Sequence, residues 1–485
     1  MINLGLPIAV SLFYFMNMKK TRIRVNARKI LADTITPVSI YLKIRDVFPN
    51  SILLESSDYH VVEDSFSYIC IDPVSSFTVD RGEIRIRTAD GETEDLSVPG
   101  GDLPGIFNEY ISSFEAETDG QEVQANGLFG YSAYDSVQYF EDIRLGADSP
   151  EGTRIPDMVY CLYRYIIAIN HFQNNLYIFE NRLEGDDGGN IEYIESLLFN
   201  RNFAAHPFRV KGEEASNMTD DQYMKMVTRG KEHCFRGDVF QIVLSRQFRQ
   251  GFTGDEFAVY RCLRSINPSP YLFYFDYGSY KIFGSSPEAL LQISNRTASI
   301  YPIAGTFKRT GDDELDKEAA LELTWDKKEN AEHVMLVDLA RNDLSRNASD
   351  VKVGTFREVQ FYSHVIHMVS KVTGQLPEDF NAVRILADTF PAGTLSGAPK
   401  YKAMELIDRY ENQSRGYYGG GIGYIGFNGD VNHAIMIRSF LSKNNMMYYQ
   451  AGAGIVADSK EENELNEVKN KLMALKRALS MAGEL

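Results

Sequence analysis

Two stretches of the chain carry acidic side chains at spacings that would place them on one face of a helix. In KENAEHVMLVDLARND, Glu329 and Glu332 are separated by a single helical turn, and near the C-terminus Glu464, Glu467 and Lys471 follow one another at similar intervals. Side chains at such intervals point in the same direction. Two pairs of carboxylates with no cysteine beside them offer the all-oxygen ligands that suit Mg²⁺. For either pair alone, a solvated helix face is the alternative.

Four loops of small residues form a second candidate feature: PIAGT, PAGTLSGAPK, GYYGGGIGYIG and AGAGIV. Glycine lets backbone amides approach a ligand closely, so these loops could bind an anionic group. The alternative is tight turns and close sheet packing. Gly421, Gly423 and Gly426 spell G-x-G-x-x-G, but a turn and the strand-like VNHAIMIRSF follow them. A dinucleotide fingerprint requires a helix at that point, so we reject it.

Two polar residues lie in apolar surroundings. Arg438 is placed in the strand-like AIMIRSF, where a cation is costly unless it is paired, and we expect a carboxylate partner. His367 lies in VIHMVS, and a satisfied core histidine is the default interpretation of such a residue. Spacing alone assigns neither a Ser-His-Asp arrangement nor a histidine metal cluster.

The elements that must position these residues are those of an α+β protein. In the first half, short apolar runs alternate with turns; a hairpin is predicted over 158–181, a helix begins at Ile191, and a polar stretch over 211–217 ends the half. Thr219 and Gln222 have capping-box spacing ahead of the next helix. The later elements expected are the strand VFQIVLSRQF, one long helix over 313–344, helices over 379–389 and 399–410, three strands over 418–450, and a last helix over 459–481.

Composition excludes several classes of function. The chain has 485 residues with 50 Lys plus Arg against 67 Asp plus Glu, a net charge of −17, which repels nucleic-acid phosphates and anionic membranes. Its four cysteines are scattered, which fits a reducing cytoplasm. Residues 1–18 are nearly all apolar but lack the basic residues before, and the cleavage site after, an export signal. We expect them to be a non-structural extension.

The motifs PIAGT, KENAEHVMLVDLARNDL, HMVS, PAGTLSGAPK, GYYGGGIGY, IRSF and AGAGIVADS, followed by E-x-x-E-x-x-x-K, resemble those of the chorismate-utilising enzymes. In detail they resemble the large subunits of the anthranilate synthases within that family. The resemblance implies large antiparallel sheets in a sandwich flanked by helices, with an N-terminal regulatory domain over 19–210 and a chorismate-binding catalytic domain over 216–485. It further implies a Mg²⁺-dependent lyase reaction of chorismate with ammonia, giving anthranilate and pyruvate, the first step from chorismate to tryptophan.

The resemblance also implies roles for individual residues. The glutamates that would hold Mg²⁺ are Glu332 and Glu467 directly, and Glu329 and Glu464 largely through water. Glu288 would donate a proton to the leaving ring hydroxyl, and His367 would assist the later elimination of pyruvate. The residues that would bind chorismate or line its ring pocket are Gly305, Thr306, Thr394, Tyr418, Arg438, Gly452, Gly454 and Lys471.

Two positions separate the branches of the family. Relatives that hydrate chorismate, the isochorismate and salicylate synthases, place a lysine where this chain has Gln241, and that lysine activates water. A neutral glutamine cannot act as that base. Aminodeoxychorismate synthases carry a nucleophilic lysine where this chain has Ala304. Together these residues favour ammonia as the nucleophile, with Gln241 at the catalytic site, and aminodeoxychorismate synthase component I is the nearest alternative.

Two segments, LLESSD and NPSPYLFY, resemble those that form a tryptophan feedback pocket between the domains. The residues implied are Glu55 and Ser56 for the amino group, and Pro270, Leu272 and Phe273 for the indole. A strand end plus a proline-rich turn is the structural alternative. A tryptophan-binding regulatory protein without catalysis is therefore a second alternative function, and a Rossmann oxidoreductase is a third.

The source of ammonia bears on the partners. A fused glutamine amidotransferase would need a nucleophilic cysteine in a G-x-C-x-G turn, and none of the four cysteines has that context. We therefore expect a separate glutamine amidotransferase subunit, the component II of such synthases, and a hetero-oligomeric enzyme.

Overall fold

A computed structural model describes residues 20–56, 65–88, 90–97, 102–117, 123–124, 126–147, 149–185, 188–204, 206–361 and 365–484. The extension predicted over residues 1–18 lies outside the described residues. The strands are β1 (Thr21–Leu31), β2 (Ile52–Glu55), β3 (Phe66–Asp80), β4 (Glu83–Arg87), β5 (Thr93–Ser97), β6 (Phe114–Glu117), β7 (Leu128–Ser132), β8 (Met158–Asn170), β9 (Asn175–Leu183), β10 (Phe208–Ser216), β11 (Gln241–Gly254), β12 (Tyr271–Asp276), β13 (Tyr280–Ser286), β14 (Ala289–Ser294), β15 (Thr297–Ile300), β16 (Ile303–Lys308), β17 (Ser349–Phe361), β18 (Val365–Gln375), β19 (Gly397–Ala398), β20 (Gly421–Ile425), β21 (Val431–Ile435), β22 (Ser439–Lys443) and β23 (Met446–Ile455).

The helices are α1 (Pro37–Ile44), α2 (Leu103–Ser112), α3 (Ile191–Asn200), α4 (Asp220–Arg236), α5 (Phe257–Ile266), α6 (Asp313–Trp325), α7 (Lys327–Ser345), α8 (Ala382–Thr389), α9 (Lys400–Tyr410) and α10 (Glu461–Ala482), with a 3₁₀ helix over Tyr134–Tyr139. The described part of the chain contains no helix with the length and apolar character needed to cross a membrane.

Hydrogen-bonded strand pairs continue without a break from the predicted N-terminal domain into the predicted catalytic domain. Neighbouring strands follow the order β10-β11-β23-β22-β13-β12-β2-β3-β8-β7-β20-β21-β14-β15-β18, and β16 and β17 both pair with β18. All of these pairs are antiparallel. The predicted α+β architecture with large antiparallel sheets is confirmed. Because β2 pairs with β12 and β7 with β20, the first half and the second half share their sheets.

The core next to the candidate site is built from helices packed on β11 and β23. Val227 of α4 and Val468 of α10 are fully buried in the same cluster as Leu244 of β11 and Ala453 of β23. Burial of apolar surface of this kind is the main stabilising contribution to a fold. The packing fixes the ends of β11 and β23, which carry Gln241, Gly452 and Gly454.

The single long helix expected over 313–344 is wrong. The structure has two helices, and Asp326 lies between them with an extended backbone, φ −65° and ψ 118°. Its side chain accepts a hydrogen bond from the Glu329 N–H at 2.9 Å, so Asp326 caps the start of α7. Trp325, the only tryptophan in the chain, is 79% exposed at this break. The capping residue thus sets where the helix that carries Glu329 and Glu332 begins.

Other expectations for the elements are mostly confirmed. Thr219 and Gln222 form the predicted capping box, and β8 and β9 form the predicted hairpin. The polar stretch over 211–217 differs from the prediction, because most of it belongs to strand β10. Six consecutive residues of β10 are exposed, so the strand lacks the alternation of apolar and polar residues that would have identified it. The region over 418–450 contains parts of four strands rather than three.

Candidate active site

Gln241 begins β11, directly after the turn that ends α4. That turn contains Gly237 in the left-handed conformation, φ 80°, which favours glycine. The buried Gln241 side chain donates from Nε2 to Oε1 of Glu332 on α7 at 3.1 Å. It also lies against β23, because a Cβ atom added to Gly454 would lie 2.6 Å from Gln241 Nε2. Gln241 therefore connects one of the predicted metal carboxylates to the strand predicted to bind chorismate.

Gly305 brings the backbone of β16 against the other carboxylate of α7. Its φ is +71°, and an added Cβ would lie 2.6 Å from Leu323 Cδ1 and 3.3 Å from Glu329 Oε2. Both the conformation and the close approach favour glycine here. The side chain of Thr306 lies outside the described residues, but its backbone is opposite His367 in the β16–β18 pair.

His367 is on β18, half-buried, and its ring Nδ1 lies 3.1 Å from the carbonyl oxygen of Gly305. A carbonyl can only accept, so Nδ1–H donates and Nε2 is the acceptor nitrogen of the neutral ring. Burial lowers the pKa of His367, and the nearby Arg438 charge lowers it further. The ring is therefore neutral at pH 7 and suited to accept a proton.

Glu288 lies in the turn between β13 and β14, where its Oε1 accepts a hydrogen bond from Thr394 Oγ1 at 2.8 Å. Burial raises the pKa of Glu288 to about 7, although the Thr394 bond and the charges of Lys471 and Arg438 act in the opposite direction. A carboxylic acid with a pKa near neutrality can donate a proton at physiological pH.

Arg438 lies between β21 and β22, so its predicted placement inside a strand is wrong. β21 ends at Ile435, and Arg438 itself has a φ of 50°. Arginine takes this conformation rarely, so the apolar pattern gave no sign of the turn. Burial lowers the pKa of Arg438, while Tyr418, Glu288 and Glu467 favour its charged form. Two carboxylates, those of Glu288 and Glu467, therefore stabilise the charge of this cation.

Gly452 of β23 joins two further residues predicted to bind the substrate. Its backbone lies close enough to the buried Tyr418 hydroxyl to oppose the rise in that hydroxyl's pKa, and its carbonyl accepts from Lys471 Nζ at 3.0 Å. Lys471 also pairs with Glu467 one helical turn earlier, at 2.7 Å. Burial raises the pKa of Tyr418, which stays a neutral hydroxyl. A cation and a hydroxyl thus flank the backbone of β23, an arrangement suited to a carboxylate ligand.

The four glutamates predicted to hold Mg²⁺ lie on α7 and α10. Glu332 accepts from Gln241, Glu467 pairs with Lys471, and Glu464 is buried. Across the described residues, no three acidic, histidine or cysteine side chains converge on one point. The donors themselves fit a hard cation, since all four are carboxylates.

The two segments predicted to bind tryptophan lie side by side. β2 and β12 are antiparallel neighbours, with Glu55 opposite Leu272. Leu272 and Phe273 are buried, Pro270 is half-buried just before β12, and Ser56 follows Glu55 at the end of β2. The pairing brings the polar and apolar parts of the predicted pocket to the same end of these two strands.

Glu55 already has partners in this structure. Its Oε1 accepts from Tyr260 Oη and from Arg264 Nε, the latter at 2.9 Å. Burial raises the pKa of Glu55, and Arg264 and Tyr260 act against that shift. Arg264 therefore favours the charged form of this carboxylate, and an incoming ammonium group would have to share the carboxylate with Arg264.

A buried ion pair close to the site was missed by the sequence reasoning. Arg415 pairs with Glu411 at 2.6 Å and also donates to the carbonyls of Leu395 at 2.6 Å and Val243 at 2.7 Å. It therefore ties the loop that carries Thr394 to β11. The available signal was the spacing of Glu411 and Arg415 by one helical turn directly before the glycine-rich GYYGGG loop.

Comparisons with known proteins identify the family of the chain. The family model described as chorismate binding enzyme matches residues 63–477. Anthranilate synthase component 1 of Thermus thermophilus is 38% identical over 472 residues, which cover 95% of this chain and 99% of that protein. The protein of the same name from Aquifex aeolicus is 37% identical over 476 residues and covers 94% of each chain.

Solved structures extend the comparison to the fold. Anthranilate synthase component I from Streptococcus pneumoniae TIGR4 superposes with a TM-score of 0.74 at 31% identity, covering 93% of this chain and 100% of that one. MenF, the menaquinone-specific isochorismate synthase of Escherichia coli, superposes with a TM-score of 0.72 at 17% identity and shares the fold alone. The predicted resemblance is confirmed: this chain is a chorismate-utilising enzyme that belongs to the chorismate-binding enzyme family and is similar to its anthranilate synthase component 1 members.

Proposed function

We propose that the chain converts chorismate and ammonia to anthranilate, pyruvate and water. The observation that carries this proposal is the neutral Gln241 amide beside Glu332, 3.1 Å away, at the position where the hydrating branch of the family has a lysine base. Ala304, buried on β16, likewise offers no nucleophile for a covalent ring adduct. Similarity to proteins named anthranilate synthase component 1 supports the same choice of nucleophile.

The side chains account for both steps of such a reaction. In the first, Glu288 gives its proton to the ring hydroxyl, which leaves as water while the ammonia nitrogen bonds to the ring carbon beside the carboxylate. In the second, His367 accepts the proton of that ring carbon, the ring becomes aromatic, and the enolpyruvyl C–O bond to the ring breaks to release pyruvate. The raised pKa of Glu288, about 7, and the lowered pKa of His367 suit an acid and a base respectively.

Binding of a dicarboxylate would use the cations around β23. Arg438 and Tyr418 would hold the enolpyruvyl carboxylate, with the backbone amides near Gly454, and Lys471 would lie beside the ring carboxylate. Glu332 and Glu467 would hold Mg²⁺, with Glu329 and Glu464 contributing through water, and the bound ion would supply positive charge to the ring carboxylate. Thr394, Gly305 and Thr306 would line the ring pocket.

The same proposal includes partners and regulation. Ammonia would come from a glutamine amidotransferase subunit in a hetero-oligomer, and L-tryptophan would inhibit by binding at the end of the β2–β12 pair that carries Glu55 and Leu272. All four cysteines are unpaired thiols, which supports a place in the cytoplasm. The feedback role rests on the pairing of Glu55 with Leu272 across the two segments.

The decisive experiment incubates the purified chain with chorismate, ammonium and Mg²⁺ and follows anthranilate fluorescence and pyruvate, with and without tryptophan. We expect both products at equal amounts and a fall in rate with tryptophan. An aminated product that keeps its enolpyruvyl group would instead indicate an aminodeoxychorismate synthase. Absence of pyruvate even at high ammonium would overturn the proposal in favour of a tryptophan-binding regulatory protein.

A further inference from the structure

A turn from the first half of the chain holds the loop that carries Tyr418. Tyr134 and Asp135 begin the 3₁₀ helix after β7. The Tyr134 N–H donates to the carbonyl of Gly416 at 2.8 Å, and the Asp135 carboxylate accepts from the N–H of Gly416 at 3.2 Å. Both backbone polar groups of Gly416 are thus bound by two consecutive residues far away in the sequence.

Asp135 makes a second contact to the same loop, because its Oδ2 also accepts a hydrogen bond from the Ser414 hydroxyl. The loop over 414–418 is tight: Gly416 has a φ of +56°, and the Tyr418 N–H donates to the Arg415 carbonyl at 3.2 Å. Whatever fixes Ser414 and Gly416 therefore also fixes the start of Tyr418. Two of the three hydrogen bonds named here between the 3₁₀ turn and the loop depend on one carboxylate, that of Asp135.

A cation–π contact also connects the 3₁₀ turn to the loop that carries Tyr418. The Arg415 guanidinium lies 4.8 Å from the centre of the Tyr134 ring and 5.9 Å from that of Tyr418. Arg415 is buried and its other partners are Glu411 and two backbone carbonyls, so it is rigidly held. The 3₁₀ turn therefore contacts the Tyr418 loop through a ring face as well as through Asp135.

The surroundings of Asp135 make its charge costly. They raise the pKa of Asp135 to about 7 through burial, and the hydrogen bonds from Ser414 and Gly416 only partly compensate. An amide or hydroxyl could bridge two chain segments here at a lower desolvation cost. What the loop requires from this side chain is one oxygen that accepts two hydrogen bonds, from the Ser414 hydroxyl and the Gly416 N–H.

We propose that Asp135 is a positioning residue for the chorismate site: it holds the 414–418 loop so that the Tyr418 hydroxyl stays in place to receive the substrate carboxylate. This inference rests on the proposed function, which assigns the carboxylate to Tyr418. It also gives the first half of the chain a direct physical connection to substrate binding, separate from the β2–β12 strand pair.

The test compares Asp135→Ala and Asp135→Asn in ammonium-dependent anthranilate formation. For Asp135→Ala we expect a KM for chorismate raised about tenfold with kcat changed less than about twofold, the pattern of lost binding that is equal in ground and transition states. Asp135→Asn keeps an acceptor oxygen and should restore most of the affinity. The matched control is Asp95→Asn, because the exposed Asp95 carboxylate accepts from Arg85 Nε at 2.7 Å and bonds to no residue of the 414–418 loop in the described part of the chain.

A double-mutant cycle separates positioning from general destabilisation. In a Tyr418→Phe background, which lacks the hydroxyl, Asp135→Ala should raise KM much less than in the wild type. Equal effects in both backgrounds, or an unchanged KM in Asp135→Ala, would overturn the inference. If Asp135→Ala does not fold, Ser414→Ala removes one of the two hydrogen bonds that Asp135 accepts from the loop and should give a smaller rise in KM in the same cycle.

Failure of the proposed function would be visible separately, as a wild-type chain that forms no anthranilate. In that event calorimetric binding of chorismate to the wild type, Asp135→Ala and Asp95→Asn tests the positioning role alone. Weaker binding confined to Asp135→Ala would support it, and equal binding by all three would refute it.

Discussion

Gln241 and Glu332 meet although 91 residues separate them in the chain, with the amide Nε2 donating to the carboxylate Oε1 at 3.1 Å. The contact means that the residue that distinguishes the branches of the family touches a residue proposed to bind the metal. A substitution of Gln241 should therefore alter the surroundings and the orientation of the Glu332 carboxylate.

Gln241→Lys should reduce anthranilate formation strongly without producing an efficient hydrating enzyme. A lysine here would pair with the Glu332 carboxylate. The nearby negative charge would raise the pKa of the lysine side chain and keep it protonated, so the lysine would be a poor base. Chromatography of the products from chorismate, with and without ammonium, measures both activities. A hydrated product at rates close to wild-type anthranilate formation would show that Glu332 does not control this position.

Gly454→Ala should displace Gln241, because the new Cβ would lie 2.6 Å from its Nε2. We expect kcat/KM for chorismate to fall about tenfold or more, since misplacement by about an ångström near a reacting centre has large effects. Gln241→Ala in the same chain removes the clash, so the double variant should lose little beyond Gln241→Ala alone. If the losses of the two single variants add up fully in the double variant, Gly454→Ala does not act through Gln241.

Glu467→Gln should abolish Mg²⁺-dependent turnover while tryptophan still binds, because it removes a proposed metal ligand on α10 and leaves the β2 and β12 residues of the tryptophan site unchanged. The expected loss is at least about 100-fold at fixed Mg²⁺, in line with the sensitivity of metal sites to their ligands. Turnover is followed over a Mg²⁺ titration, and tryptophan binding by calorimetry. Glu462→Gln, on the exposed face of the same helix, is the control, and near-normal turnover of Glu467→Gln would refute the metal assignment.

Glu288 should set the alkaline limb of the pH profile. The acid is needed in its protonated form, so kcat/KM should fall as the pH rises through about 7, the raised pKa of Glu288. Thr394→Val removes a hydrogen bond that stabilises the carboxylate, so the pKa should rise further and the limb should move to higher pH. Thr394→Ser keeps the hydroxyl and should leave the limb in place; a shift to lower pH in the valine variant would contradict the assignment.

Glu55→Gln should weaken tryptophan binding at least about tenfold, because a neutral amide loses the charge-assisted bond to the amino group. Calorimetry with tryptophan measures the affinity directly. Glu405→Gln breaks only a half-exposed pair with Lys402 and serves as the control. Unchanged affinity in Glu55→Gln would remove Glu55 from the inhibitor site.

Local signals in the sequence identified much of this fold. The capping box at Thr219 and Gln222 and the turn residues between β8 and β9 act through neighbours in the chain, so their effects could be predicted from short windows. The break at Asp326 was also encoded locally, but the helical pattern on both sides masked it. The sharing of sheets between the halves depends on distant pairings such as β7 with β20, which no short window contains.

The site was predictable in its residue types and less so in its contacts. Motif resemblance suggested Glu288 and Thr394 independently, and the structure joins them at 2.8 Å. The left-handed turn at Arg438 could not be predicted, because neither glycine nor asparagine marks it. The link from Asp135 to Ser414 was equally hidden, since the two residues lie in different halves of the chain.

The exposed indole at the α6–α7 break provides a spectroscopic probe that needs no label. Trp325 is the chain's single tryptophan and immediately precedes the helix that carries Glu329 and Glu332. All intrinsic indole emission therefore comes from this one junction. A change in its emission on addition of Mg²⁺ would report an adjustment at the start of that helix, and a Trp325→Phe chain would supply a dark background for tracking an added fluorescent ligand.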